Sequence, residues 1–100
     1  MATFETTPQF RRDFTKLSGR DQERFRMAAR ALSACLDASE LDPRLRVKKF
    51  NRRRGVDWWE LSWSSAGRAL FQYGPTVRLA KPHVIWLAVG THAIFANRQT

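Results

Sequence analysis

The stretch Trp58-Trp59-Glu60-Leu61-Ser62-Trp63-Ser64-Ser65-Ala66-Gly67-Arg68-Ala69-Leu70-Phe71-Gln72-Tyr73 decides the fold. Apolar and polar residues alternate on both sides of a cluster of small residues, the pattern of two antiparallel strands joined by a turn. A three-residue loop Ser65-Ala66-Gly67 suits it, because such loops favour glycine at the last position, where the backbone goes left-handed. Trp63 then faces Ala69, Leu61 faces Phe71 and Trp59 faces Tyr73 on one side. Ser64 faces Arg68, Ser62 faces Leu70 and Glu60 faces Gln72 on the other. A two-residue loop slips the pairing by one and mixes apolar with polar on both faces. The first face is expected to pack on helices, and the second to be largely polar and open.

Upstream, Thr3 to Thr6 reads as a short extended piece, and Thr7-Pro8 as an N-cap followed by proline in the first helical position. Phe10, Phe14 and Leu17 share one face of the helix that follows, with Arg11, Arg12 and Asp13 outward. Ser18 stands three residues before Asp21, an approximate capping box, and Gly19 lets the chain turn into a second helix ending near Ala38. Phe25, Ala28, Ala29, Leu32 and Leu36 form its buried stripe. Phe25, Met27 and Cys35 read as core packing. After Pro43 the period becomes alternating, which predicts a strand from Leu45 to Phe50 and then a basic loop, Asn51-Arg52-Arg53-Arg54-Gly55. Downstream, Leu79 to His83 reads as a loop, with His83 structural. Val84 to Val89, apolar on both sides, reads as a strand near the middle of the sheet. The tail from Thr91 to Thr100 fits a strand or a helical turn equally.

These elements add up to an α+β fold in a single domain spanning residues 1–100: a short N-terminal strand and a two-helix hairpin packed on a mainly antiparallel twisted sheet of four to five strands. The chain has 100 residues, 18 Lys and Arg against 9 Asp and Glu, and a formal charge of +9. Such a balance calls for a polyanionic partner, and nucleic acid fits best because each cation on a phosphate releases condensed counterions. An acidic protein answers the same charge. The lone Cys35 suits a reducing compartment, and no stretch approaches the roughly 18 apolar residues of a membrane span. A soluble, cytoplasmic protein without membrane attachment is expected. No metal-ligand cluster and no small-molecule cofactor motif appears.

The order of elements resembles the RelE/ParE superfamily of bacterial type II toxins, and so do three motifs. Ser64 to Tyr73 is similar to the family's hairpin S-S-G-Y-R-L-V-Y-Q-V, and Trp59-Glu60-Leu61 to the W-E-L of the preceding strand. Trp86 to His92 is similar to the last strand, which ends in V-G-K-R or R-Y-H-Y. The resemblance covers nearly the whole chain. It implies a toxin held by a cognate antitoxin that cuts messenger RNA on the ribosome, by attack of the ribose 2′-hydroxyl on the neighbouring phosphate. That chemistry needs a base, a cationic cradle for the pentacovalent phosphate and an acid, and no metal.

By the same resemblance Arg68 grips the scissile phosphate, and its guanidinium suits two phosphate oxygens. His92 matches a position held by a catalytic histidine in one branch and an arginine in another, and an imidazole titrates near neutrality. Glu60 matches a glutamate assigned as base. On the register above it shares a face with Arg68 but lies four residues away, about 13 Å at ~3.3 Å per residue. Lys48, Lys49, Arg52, Arg53 and Arg54 form the densest basic run and are assigned to RNA or ribosome binding. The sequence departs from the family in two places: Trp59 and Leu61 stand where RelE-like members carry sheet lysines, and Ala93 follows His92 in place of a terminal tyrosine, leaving Phe95 to stack. Two rival readings remain, a gyrase inhibitor of the ParE branch and a non-catalytic basic nucleic-acid-binding module.

Overall fold

The computed structural model describes residues 3–38, 40, 42–53, 56–74 and 82–91, with backbone only for 50–53 and 56. Its order is β1 (Thr3–Thr6), α1 (Pro8–Thr15), α2 (Gly19–Ala38), a 3-10 turn (Pro43–Leu45), β2 (Lys48–Arg53), β3 (Val56–Ser62), β4 (Gly67–Tyr73) and β5 (His83–Thr91). The strands form one sheet in the order β1-β5-β4-β3-β2. β1 runs parallel to β5 and every other pairing is antiparallel. This is the expected α+β layout.

Both predicted helix starts are capped as read. The Thr7 hydroxyl accepts the Phe10 N–H at 3.1 Å and the Ser18 hydroxyl accepts the Asp21 N–H at 3.1 Å, each filling a donor that a helix N-terminus leaves vacant. Phe10, Phe25, Ala28 and Leu32 are buried against Leu61, Ala69, Phe71, Val84, Trp86 and Val89 of the sheet. Trp86 lies at the middle of the aromatic cluster, its ring centroid 4.9 Å from Phe25 in a T-shaped contact, 5.3 Å from Phe71 and 6.2 Å from Phe10.

β5 is apolar on both sides because Val84, Trp86 and Val89 join the helix-side core while Leu87 and Ala88 join a second apolar cluster on the opposite face, and a bulge makes that division. The ladder to β4 pairs Leu70 with Ala88 and then Phe71 with Trp86, so Leu87 is the extra residue. The insertion lets Trp86 and Val89, three apart, both face the helices. β1 pairs with β5 only as far as Thr6 and Trp86. Beyond that point α1 takes over the edge: the Thr7 N–H donates to the Trp86 carbonyl at 3.1 Å, and the Thr7 hydroxyl donates to the Leu87 carbonyl at 3.2 Å. Asp13 Oδ2 accepts the Val89 N–H at 3.3 Å. Asp13 is therefore buried rather than outward; helical periodicity does not reveal that a strand's edge donor waits beneath it. Asp13→Ala strips an acceptor from a buried N–H, and urea denaturation should show a loss of about 1–3 kcal/mol.

Other expectations change. Leu45 belongs to the 3-10 turn, whose cap Asp42 accepts the Arg44 N–H at 2.9 Å, and Arg46 closes it in the left-handed region at φ 50°. β2 thus starts at Lys48 and takes in Asn51, Arg52 and Arg53, which had been read as loop. His83 opens β5 instead of ending a loop, and is buried with Nδ1 2.7 Å from the Thr3 hydroxyl and Nε2 2.7 Å from Glu5 Oε1. Met27 is 60% exposed and outside the core. Cys35 is half-buried, its sulfur accepting the Asp42 N–H at 3.3 Å.

Candidate functional site

The hairpin register differs from the expected one by two residues. Trp59 pairs with Phe71, Glu60 with Leu70, Leu61 with Ala69 and Ser62 with Arg68. A shift of two keeps every side chain on its predicted face, so the sorting of residues holds while their partners change. Trp63 causes the shift. Its N–H donates to the Gly67 carbonyl at 3.2 Å and its indole N–H to the Arg68 carbonyl at 3.0 Å. The ring lies over Gly67 so closely that an added Cβ there would stand 2.4 Å from it. Ser64 completes the turn, its hydroxyl accepting the Gly67 N–H at 2.8 Å.

The new register brings Glu60 and Arg68 together. Arg68 faces Ser62, two residues from Glu60, and its Nε lies 3.8 Å from Glu60 Oε1. The expected gap of four residues is thus corrected to a diagonal contact across the ladder. Lys48, the ladder partner of Glu60 on β2, places Nζ 3.5 Å from the same oxygen. Glu60 is 3% exposed, and its Oε1 is buried with both cations beyond hydrogen-bonding distance. One carboxylate is therefore held between two cations on the sheet face turned away from the helices.

Arg68 is held from the other end as well. Its Nη1 donates to the carbonyls of Gly67 at 2.9 Å, Ser64 at 3.2 Å and Ser65 at 3.3 Å, and the side chain is 17% exposed. A guanidinium tied to three carbonyls cannot swing freely, which orients its plane. The surrounding face is not the open polar surface expected. Leu70 and Ala88 are buried in it, with Trp58 and Leu87 packed against them.

The basic run is split by the strand alternation. Lys48 shares the Glu60 face, whereas Lys49 pairs with Trp59 and lies 3.6 Å from Asp57 on the opposite side. Arg52 and Arg53 lie on β2 by their backbone. His92, Arg54 and Phe95 fall outside the described residues, while Thr91, next to His92 in the chain, pairs with Gly67. The reading from sequence missed Trp63 and Ser64, the residues that build the turn around Arg68. A bulky aromatic followed by serine just before a hairpin glycine was the available signal.

On the helix-side face, Tyr73 packs edge-on to Phe71 and Trp59 with centroids 5.6 and 6.1 Å away. Burial pushes its hydroxyl above the ordinary value of 10.0. It is the chain's only tyrosine, so the tyrosinate absorbance on alkaline titration reads it alone. The midpoint should lie above 10.0 in the native protein and fall to about that value in denaturant. Because the folded value is the higher one, the associated stability is intact below the unfolded value and is lost as pH rises through the folded value.

No protein-family model matches the chain, and no curated protein matches it by sequence. Solved structures do match its fold. The Escherichia coli DinJ–YafQ complex contains a chain that superposes with a TM-score of 0.69 at 14% identity, over 94% of this chain and 97% of that one. A metal-bound toxin from Helicobacter pylori gives 0.63 at 19% identity over 94% and 98%. The intact E. coli RelBE toxin–antitoxin complex gives 0.55 at 17% identity over 91% and 96%. The fold is that of the RelE-like toxins.

Proposed function

We propose that the chain is the toxin of a type II toxin–antitoxin pair and acts as a metal-independent endoribonuclease on ribosome-bound messenger RNA. The observation that carries this reading is the Lys48–Glu60–Arg68 cluster, on the sheet face opposite the helices of a RelE-like fold. In this reading Arg68 receives the scissile phosphate. A tethered guanidinium stabilises charge that grows on the non-bridging oxygens without first having to reorganise. Glu60 is too deeply buried to meet a 2′-hydroxyl where it stands, so its role is positioning: its charge holds Arg68 and Lys48 on one spot. Lys48, with its side chain 70% exposed, and the β2 arginines Arg52 and Arg53 supply backbone contacts to RNA, joined by Lys49, Arg54 and Phe95. His92 exchanges the protons. The peptide bond ties it to Thr91, whose ladder partner Gly67 precedes Arg68.

A cognate antitoxin is the second partner, a reading supported by the matched DinJ–YafQ and RelBE structures, both of them toxin–antitoxin complexes. The cytoplasm, where ribosomes and transcripts are, is the compartment this reading requires. No helix among the described residues is long and apolar enough to cross a membrane. Arg68 at the hairpin position, together with His92, favours RNA cleavage over gyrase binding of the ParE kind.

Tightly induced expression of the chain followed by mapping of transcript 5′ ends tests the proposal, with Arg68→Ala and His92→Ala as controls. Codon-spaced new ends that vanish in both controls are expected. DNA-damage signalling without new ends would move the protein to the gyrase-directed branch, and neither response would leave a basic binding module. A separate expectation concerns the imidazole: cleavage should change with pH between about 5.5 and 7.5, the range around an ordinary histidine value of ~6.5. A flat profile there removes His92 from proton transfer.

A further inference from the structure

The sheet face that carries Lys48, Glu60 and Arg68 continues beyond its charges into an apolar patch. Leu70, two residues along β4 from Arg68, and its ladder partner Ala88 are buried there, with Trp58 and Leu87 packed against them and only half-buried. The register that pairs Trp59 with Phe71 sets Trp58 opposite Gln72. Three rows of side chains therefore follow one another on this face: Ser62 and Arg68, then Lys48, Glu60 and Leu70, then Trp58 and Gln72. Rows are two residues apart, so the indole row stands about 13 Å along the strands from the guanidinium row, at ~3.3 Å per residue. Gln72 is half-exposed, and among the described residues none hydrogen-bonds to its side-chain amide.

A face that gripped phosphates alone would need no indole beside its cations. Single-stranded nucleic acid asks for both, cations along the backbone and an aromatic ring for a base. The Trp58 ring rests on an apolar floor and keeps part of its surface in solvent. Beside it the Gln72 amide offers an acceptor and two donors, the kind of group that pairs with a base edge. We infer that Trp58 and Gln72 form a nucleobase subsite: the indole stacks on one base of the RNA strand whose phosphate lies at Arg68, and the amide reads the edge of that base. Contacts to phosphate carry no sequence information, so these two residues set which sequence is held. The inference rests on the RNA reading above and adds where the sequence is read. A protein segment suits the patch less well. Two half-buried apolar side chains, Trp58 and Leu87, are enough for one base but little for a protein interface, which takes about 800 Å² per partner.

An NMR titration read at the Trp58 indole N–H tests the subsite, with short oligoribonucleotides whose 2′-O-methyl groups block attack on the phosphate. The probes are strands of adenine, uracil or cytosine only, and an abasic strand of equal length and charge. The base-bearing strands should shift the indole resonance saturably and bind about tenfold tighter than the abasic one, the scale of one stacking contact. Trp58→Leu keeps an apolar side chain over Leu70 and should abolish that preference, whereas Trp58→Phe keeps a ring and should retain most of it; an unchanged thermal midpoint shows each variant to be folded. Gln72→Leu should bring the affinities of the three base-bearing strands together, and Lys48→Ala should weaken all four strands alike. Abasic binding as tight as the rest, a preference that survives Trp58→Leu, no indole shift up to millimolar strand, or a shift given only by a glutamate–leucine peptide would each overturn the subsite. The two readings fail separately. Base-dependent binding without new transcript ends keeps the subsite and removes the nuclease, while codon-spaced ends whose sequences are unchanged in Trp58→Leu keep the nuclease and remove the subsite.

Discussion

If Arg68 grips the scissile phosphate as proposed, Arg68→Ala should lower ribosome-coupled RNA cleavage by about 10²–10³-fold, the loss typical when one preorganised donor to a developing oxyanion is removed, roughly 2.7–4 kcal/mol of barrier. The size of the effect follows from how Arg68 is held. Three carbonyls of its own turn fix Nη1 and the Glu60 carboxylate lies 3.8 Å from Nε, so the orientation of the fork is set before substrate arrives. Arg68→Lys should recover little, because an ammonium cannot hold the turn and grip a phosphate at once. A structural explanation of the loss can be separated. Ser64→Ala removes the hydroxyl that accepts the Gly67 N–H and loosens the same turn while keeping the guanidinium. That variant should stay within about tenfold of the parent, a smaller loss than removal of the charged group itself. Cleavage by Arg68→Ala within a few-fold of the parent would falsify the phosphate-gripping role.

Alternation in residues 58–73 and the helical stripes through Phe10, Phe14, Phe25 and Leu32 made the layers legible, because burial of one face imposes a period that the sequence must carry. The caps Thr7 and Ser18 were legible for a similar reason: their partners lie three residues away along the same chain. Register was not. The rule for short hairpins weighs glycine's backbone freedom, whereas here the large Trp63 ring leaves the ladder, lies over Gly67 and lengthens the turn to residues 63–66. Since the error was two residues, the Glu60 and Arg68 side chains were placed on the right face and at the wrong distance. The lumped basic run failed on the same alternation that succeeded elsewhere: once residues 48–53 are strand, Lys48 and Lys49 must part to opposite faces. Asp13 was illegible because its partner, the Val89 N–H, is 76 residues away and exists only where β1 stops short. Non-local polar satisfaction leaves no periodic trace.

Trp86→Ala should cost about 3–5 kcal/mol in stability, the range for removing a large aromatic from a core. Trp86 is 3% exposed, and its ring touches Phe10 from α1, Phe25 from α2 and Phe71 from β4. Those three rings come from different elements, so they cannot close the gap without moving a helix relative to the sheet, which keeps the cavity term large. Trp86→Phe retains much of the apolar surface and should cost less, about 1–2 kcal/mol. The backbone of the same residue matters to the site. Its carbonyl accepts the Thr7 N–H at the point where β1 ends, just before the bulge at Leu87 that carries β5 on to Gly90 opposite Arg68. Loosening of this joint should therefore spread along β5. In Trp86→Ala, amide exchange at Val89 and Gly90 should accelerate at denaturant concentrations below the global transition, while amides of α2 away from the cluster keep their protection. Uniform exchange across the chain would show instead that the core opens only as one unit, with no separate path from the aromatic cluster to the end of β5.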